Sequence, residues 1–299
     1  METENTVSTS LKLQVRSETS PLETVVLGMA QDRPSLPHPN NPKIQEHSAK
    51  GTLPTEQGLI NDMNTFEKVL KAEGITVYRP DNIPNQDQIF ARDIGFVIGD
   101  TFVKARMHKE NRRIELQGIQ GLIDRMERVI EPPMDANVEG GDVLVHGKYI
   151  FVGIGERTNQ KGVDFLKEHF EPEFEVHALE LVISDDPMKN ILHLDCAFQP
   201  VGDKYAIFFE EGFAKRPDKL YEVFGEENLI KVTAQEMYDM FPNVFSISPS
   251  LVAVDSDFKR LIGELENRGL KVAPVEYREV SKLGGLLRCS TLPLRRREN

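Results

Sequence analysis

The sequence predicts a mixed α/β fold built from a repeated ββαβ unit. Three observations carry that prediction. Two helix–strand segments, at 70–77 and 265–272, share the pattern Leu-x-x-x-Gly-(Ile/Leu)-x-Val. Three others, IGFVIGDTFVKA, DVLVHGKYIFVG and QPVGDKYAIFF, each read as two short strands about a glycine-containing turn. Hairpins and helix–strand segments then alternate along the chain, and such self-similarity marks a repeat architecture.

The elements can be justified in chain order. Residues 1–20 are polar and rich in Ser, Thr and Glu, which predicts a flexible lead-in. Between residues 31 and 55 stand Pro34, Pro37, Pro39, Pro42 and Pro54, too many for regular structure, so a long loop is expected. Leu59, Met63, Phe66 and Leu70 then recur at steps of four and three on one helical face. Gly74 supplies a C-terminal cap, and ITVYR reads as the following strand. VDFLKEHF with FEVHAL forms a similar pair without the glycine. Phe258, Ile262 and Leu265 repeat the helical spacing after Asp255, a candidate cap, and Gly269 precedes the strand LKVAPV. With no second linker, one domain is expected over 21–299.

Composition narrows the function classes. The 299 residues hold 36 Lys+Arg against 48 Asp+Glu, a net charge of −12, which suits small cations and disfavours nucleic acid. No apolar run approaches the roughly 18 residues of a membrane span. The N-terminus lacks the pattern of a secretory signal. Two cysteines make neither a disulfide framework nor a zinc motif, so a reducing cytoplasm is the expected setting. The oligomeric state stays open, a homo-oligomer included.

Each hairpin follows a cluster of chemically active residues: Arg92-Asp93, then Glu139-Gly-Gly-Asp142, then His193-Leu-Asp195. Units packed in a ring would turn these clusters toward a common centre. His193 and Asp195 would share a face of an extended strand, pairing an acid/base group with a cation-binding carboxylate. Asp87 and Asp93 would face one way across a regular strand. Taken singly, these are ordinary solvated acids or turn residues. Cys289 stands in KLGGLLRCSTLPL beside Arg288, a cation expected to lower its thiol pKa, although a lone cysteine is usually a small buried hydrophobe. Cys196 should point to the opposite strand face and belong to the core.

Together and in order, Asp87…Arg92-Asp93, Glu139-Gly-Gly-Asp142, Glu156-Arg-Thr-Asn159, His193-Leu-Asp195 and Gly284-Gly285…Cys289 resemble the guanidino-group-modifying enzymes, or penteins. These include arginine deiminases, dimethylarginine dimethylaminohydrolases and amidinotransferases. The resemblance implies a five-bladed α/β propeller of ββαβ units. It implies Cys289 as nucleophile, His193 as general acid/base, and Glu139 as the carboxylate that orients the histidine. Asp93 and Asp195 would grip the guanidinium, with Asp87 a further polar position. Arg157 and Arg112 would hold a substrate carboxylate, with Arg106 and Arg113 close competitors of Arg112. No metal or organic cofactor is implied.

EGGD and ERTN are similar to the hydrolases, whereas SKLGGLLRCSTLPLRRRE is similar to the amidinotransferase end. Dimethylarginine hydrolases commonly lack the Asp195 carboxylate, so its presence favours an unmethylated substrate. The expectation is hydrolysis of L-arginine or a close analogue to a citrulline-type product and ammonia, through a covalent amidino-thioether. The alternative is amidino transfer to an amine. A binding protein without turnover would not need the nucleophile.

Overall fold

The computed structural model describes residues 10–34 and 41–298. Its architecture begins with β1 (Leu22–Leu27), followed by α1 (Pro42–Ala49), α2 (Glu56–Ala72) and β2 (Thr76–Tyr78), which runs parallel to β1. The four spaced apolar residues of α2 are all buried, as their periodicity predicts. Thr55 caps the helix through the Gly58 N–H. Gly74 and Gly269 end their helices at φ +77° and +81°, a region that disfavours a side chain.

The three hairpins read from the sequence are β3 (Gly95–Ile98) with β4 (Thr101–Lys104), β6 (Val143–His146) with β7 (Tyr149–Ile154), and β9 (Phe198–Val201) with β10 (Tyr205–Phe208). Each gains a parallel third strand: β5 (Val129–Ile130), β8 (Glu175–Glu180) and β11 (Leu229–Lys231). The connections are helical. A 3-10 segment (Glu110–Ile119) running into α3 (Gln120–Ile123) serves the first, α4 (Gln160–Phe170) the second and α5 (Asp218–Phe224) the third.

After α6 (Ala234–Tyr238), a further unit repeats the order with β12 (Phe245–Ser248), β13 (Leu251–Asp255), α7 (Lys259–Asn267) and β14 (Lys271–Val275). The short α8 (Arg278–Ser281) leads to β15 (Thr291–Arg296), which pairs antiparallel with β1. The last strand thereby completes the first unit. Five three-stranded sheets result, each a ββαβ unit, arranged as a five-bladed α/β propeller.

Packing ties the units together. Phe66 of α2 meets Phe245 edge-on at 5.9 Å and Tyr277 at 5.6 Å, joining the first unit to the last. A second apolar cluster, including Phe96, Val152 and Phe174, joins the units of β3 and β6.

Three expectations need correction. Residues 1–9 lie outside the described residues, but 10–20 are held rather than free. Leu11, Leu13 and Val15 are buried, Val15 bridges to Gly99, and Ser17 bridges to His146. In the proline-rich stretch, Pro37 and Pro39 lie outside the described residues. Nearby, α1 forms because Asn41 accepts the N–H groups of Lys43 and Ile44 while Pro42 takes the first helical turn, where its missing N–H costs nothing. Asp255 closes a turn onto the Asp257 N–H and does not cap α7.

Candidate active site

The loops entering the first strand of each unit carry the site. Asp93 stands two residues before β3, Glu139 four before β6, Asp195 three before β9, and Cys289 two before β15. All four are buried, with His193, in a connected network. The sequence expected His193-Leu-Asp195 to be extended, but Leu194–Cys196 is a 3-10 turn. Convergence comes from that turn and not from strand alternation. The segment from Asp87 to Asp93 is likewise irregular, and Asp87 faces Arg33 at 3.4 Å.

His193 bridges two acids. Its Nε2 lies 2.8 Å from Glu139 Oε2, and its Nδ1 lies 3.7 Å from Asp93 Oδ1. Gly141 lets the ring seat there, since a Cβ at that glycine would come within 2.7 Å of the imidazole. Burial alone would favour neutral imidazole, but Asp93, Asp142 and Glu139 outweigh it and push the pKa up. Burial likewise opposes the Glu139 charge, yet the His193 contact holds that carboxyl low. The pair is an imidazolium–carboxylate.

Asp93 and Asp195 share a further feature. Asp93 Oδ2 accepts from Arg112 Nη1 at 2.8 Å, and Asp195 Oδ2 accepts from Arg288 Nη1 at 2.8 Å. Each arginine is braced from behind. Glu115 takes Arg112 through both oxygens at 2.8 and 2.9 Å, and Glu18 takes Arg288 at 3.1 and 3.2 Å. Asp93 Oδ1 has no hydrogen-bond partner, and both Asp195 oxygens lie near Cys289 Sγ, Oδ2 at 3.6 Å and Oδ1 at 3.9 Å.

Cys289 is 4% exposed. Burial, with Asp195, Cys196 and Asp93 nearby, pushes its thiol pKa well up. The expected lowering by adjacent Arg288 does not occur, because that guanidinium turns away to Asp195 and Glu18. Cys196 is buried within the main apolar cluster, yet its sulfur reaches Asp195 Oδ1 at 3.7 Å and it borders a cavity. It is therefore both core and wall, where only core was expected.

That cavity, about 300 Å³, is lined by Lys43, Lys109, Glu156, Arg157, Cys196 and Gly284 among others. Arg157 Nη1 lies 3.7 Å from Glu139 and its Nε 3.9 Å from Glu156, and neither atom makes a hydrogen bond. Arg112, assigned with it to a substrate carboxylate, is instead committed to Asp93 and Glu115. Of its competitors, Arg113 bonds the Met107 carbonyl, and Arg106 pairs through its backbone with Val138. The ligand atoms of Asp93, Glu139 and His193 lie within 4.8 Å of one another, a spacing that could also hold a metal ion. Arg112 and the imidazolium already balance those charges.

Sequence reasoning missed Asn243, which is fully buried. Its Oδ1 accepts the N–H groups of Leu286 and Cys289 at 3.1 and 3.0 Å, and its Nδ2 lies 3.1 Å from Cys289 Sγ. The available signal was position: Asn243 precedes the hairpin FSISPSLVAVD as Asp93 precedes its own.

Comparison with known proteins agrees with the architecture. The family model described as N,N dimethylarginine dimethylhydrolase, eukaryotic, matches residues 38–296. Uncharacterized protein YkgA of Bacillus subtilis is 29% identical over 218 residues, 73% of this chain and 72% of that one. Mitochondrial glycine amidinotransferase of Danio rerio is 23% identical, covering 94% of this chain and 82% of its own. Among solved structures, the product-bound N-terminal domain of ArgZ, an arginine dihydrolase from Cyanobacteria, aligns with TM-score 0.80 and 20% identity, covering 91% of this chain and 97% of that one. SxtG, an amidinotransferase from Microseira wollei, gives 0.76 at 19% identity, covering 96% and 98%. The fold is the pentein fold. Among the described residues, no helix is long and apolar enough to cross a membrane.

Proposed function

The chain belongs to the family described as N,N dimethylarginine dimethylhydrolase, eukaryotic, and from that premise we propose that it hydrolyses an unmethylated guanidino acid, L-arginine or a close analogue. It is a guanidino-modifying enzyme of the pentein superfamily. One observation supports the finer reading: Asp93 and Asp195 each bind a built-in arginine through Oδ2, Asp93 Oδ1 is left without a hydrogen-bond partner, and both Asp195 oxygens lie beside Cys289 Sγ, at 3.6 and 3.9 Å.

A guanidinium entering there is planar and cationic, and its N–H edges match carboxylate oxygens. Its arrival beside Cys289 supplies the positive charge that the free thiol lacks, so the thiol releases its proton to solvent on binding. The thiolate adds to the guanidinium carbon. The bond to the terminal nitrogen breaks, and ammonia leaves with a proton from His193. Water then attacks the amidino-thioether, giving its proton to His193, and the C–S bond breaks. The ureido product and the Cys289 thiolate are released. Arg157 would hold the substrate carboxylate, and Glu139 would keep the imidazole charged and aimed.

A methyl group at the nitrogen facing Asp195 would remove a donor from a buried acceptor, at a cost of about 1–3 kcal/mol. Arginine should therefore be turned over at least about fivefold more efficiently than N,N-dimethylarginine. Equal kcat/KM for the two would refute the unmethylated assignment.

Amidino transfer is the second reading, favoured by the amidinotransferase relatives and by the run ending at Cys289. Incubation with arginine, with and without glycine, separates the two. Citrulline and ammonia without an amine support hydrolysis, whereas ornithine formed only with the amine supports transfer.

A further inference from the structure

Four of the five units place a polar or thiol side chain two residues before their first strand: Asp93 before β3, Cys196 before β9, Asn243 before β12 and Cys289 before β15. Asp93 and Cys289 have roles in the proposed reaction; Asn243 has none. The fold nonetheless delivers it to the same centre, where it touches the sulfur itself.

We propose that Asn243 is a catalytic residue that donates a hydrogen bond to Cys289 Sγ and stabilises the sulfur as an anion. The inference rests on the reading of Cys289 as the nucleophile.

The amide orientation is fixed by its surroundings. Two backbone N–H groups, from Leu286 and Cys289, converge on Oδ1, and a flipped amide would set its NH₂ against both donors. Nδ2 must therefore face Sγ, at 3.1 Å, with the Asp195 carbonyl as its other partner at 3.4 Å. The Leu286 backbone N–H also faces this sulfur but is shared with Asn243 Oδ1, and the other polar atoms close to it are the Asp195 oxygens, acceptors at 3.6 and 3.9 Å. A buried thiolate beside a carboxylate is costly without a donor.

A neutral donor also fits the chemistry better than a cation would. A lysine or arginine at this place would repel the incoming guanidinium, whereas an amide stabilises the sulfur without opposing the substrate. The same bond serves both half-reactions, since sulfur carries negative charge when it attacks and again when it leaves. The bracing of residues 286–289 by Oδ1 aims the thiol, and the NH₂ group then tunes it. The second function separates this proposal from a merely structural staple.

The test is the pH dependence of Cys289 alkylation by iodoacetamide, with modification at Cys289 followed by peptide mass mapping. Asn243→Asp keeps an oxygen for the two N–H groups but sets a carboxylate oxygen against the sulfur. The alkylation midpoint should rise by about one pH unit or more, which is about tenfold less thiolate at a given pH. Turnover, where present, should lose kcat with little change in KM. Asn243→Ser, smaller and unable to reach the sulfur, should shift the midpoint in the same direction and carries the test if the aspartate variant does not fold. A folded variant with an unchanged midpoint overturns the proposal. Failure of both variants to fold overturns it too, because Asn243 would then be a staple. Alkylation needs no turnover, so inactivity of the native enzyme on guanidino substrates would sink the proposed reaction separately.

Discussion

The Glu18→Gln variant tests how the N-terminal segment supports the site. Glu18 is buried between Arg288, at 3.1 Å, and Arg92, at 3.8 Å. Burial opposes its charge, but the two guanidinium groups prevail and hold the carboxyl down at about 2, against an ordinary 4.5. That difference corresponds to about 3 kcal/mol of folding stability. Because the folded value lies below the unfolded one, the contribution is present above about pH 4.5. It is lost as pH falls toward 2.

Glutamine keeps the shape and removes the charge, leaving Arg288 with Asp195 as its remaining carboxylate. Breaking a buried pair in this way costs about 3–5 kcal/mol. At about 2 °C or more per kcal/mol for a chain of this size, the melting temperature at pH 7 should fall by roughly 5–10 °C. Scanning calorimetry of both proteins from pH 7 down to pH 3 is the assay, and the gap should narrow on acidification. A variant melting within about 1 °C of wild type at pH 7, or a gap independent of pH, would refute the reasoning. Catalysis supplies a second readout: Arg288 would be less firmly held on Asp195 Oδ2, so KM for the guanidino substrate should rise.

Other consequences follow from the same geometry. Glu139→Gln removes one acid that keeps His193 charged, so the alkaline limb of kcat/KM should move to lower pH; an unmoved limb would show that His193 is not the titrating acid. Cys289→Ala should abolish turnover and the covalent adduct, whereas Cys196→Ala should still form an adduct at Cys289. Acid-quench mass spectrometry decides this, and loss of the adduct in the second variant alone would reverse the nucleophile assignment.

What could be read from the sequence, and what could not, divides along physical lines. The β3, β6 and β9 hairpins were legible because alternating apolar residues flank a glycine able to take positive φ. The β12 hairpin turns at Ser248-Pro249-Ser250, without glycine, and so it went unread. With it went Asn243, a neutral amide that no charge or metal-ligand pattern picks out. Residues 10–20 were concealed by polar composition, although Leu11, Leu13 and Val15 alternate as a half-buried strand would. The ordered motifs brought His193, Glu139, Asp93, Asp195 and Cys289 into view, and the fold brings these five together. The resemblance assigns Arg112 to a substrate carboxylate. Only three-dimensional contacts reveal that Asp93 and Glu115 consume it.

The two built-in arginines explain how so many acids can share one buried centre. Asp93, Asp195, Glu115 and Glu18 would repel one another if ionised and unpaired, at distances where the interior screens little. Arg112 between Asp93 and Glu115, and Arg288 between Asp195 and Glu18, turn four charges into two braced triads. Burial pushes Glu115 up to about 7, and Arg92 also faces Glu18, so neither triad accumulates unpaired charge while its aspartate stays beside His193 or Cys289. A guanidinium placed between them is thus the third of its kind in the site, recognised by the same chemistry that holds the protein's own. Replacing Arg288 with lysine would keep the charge but lose the planar fork that spans Asp195 and Glu18 together. Positioning, and not net charge alone, is what these arginines contribute.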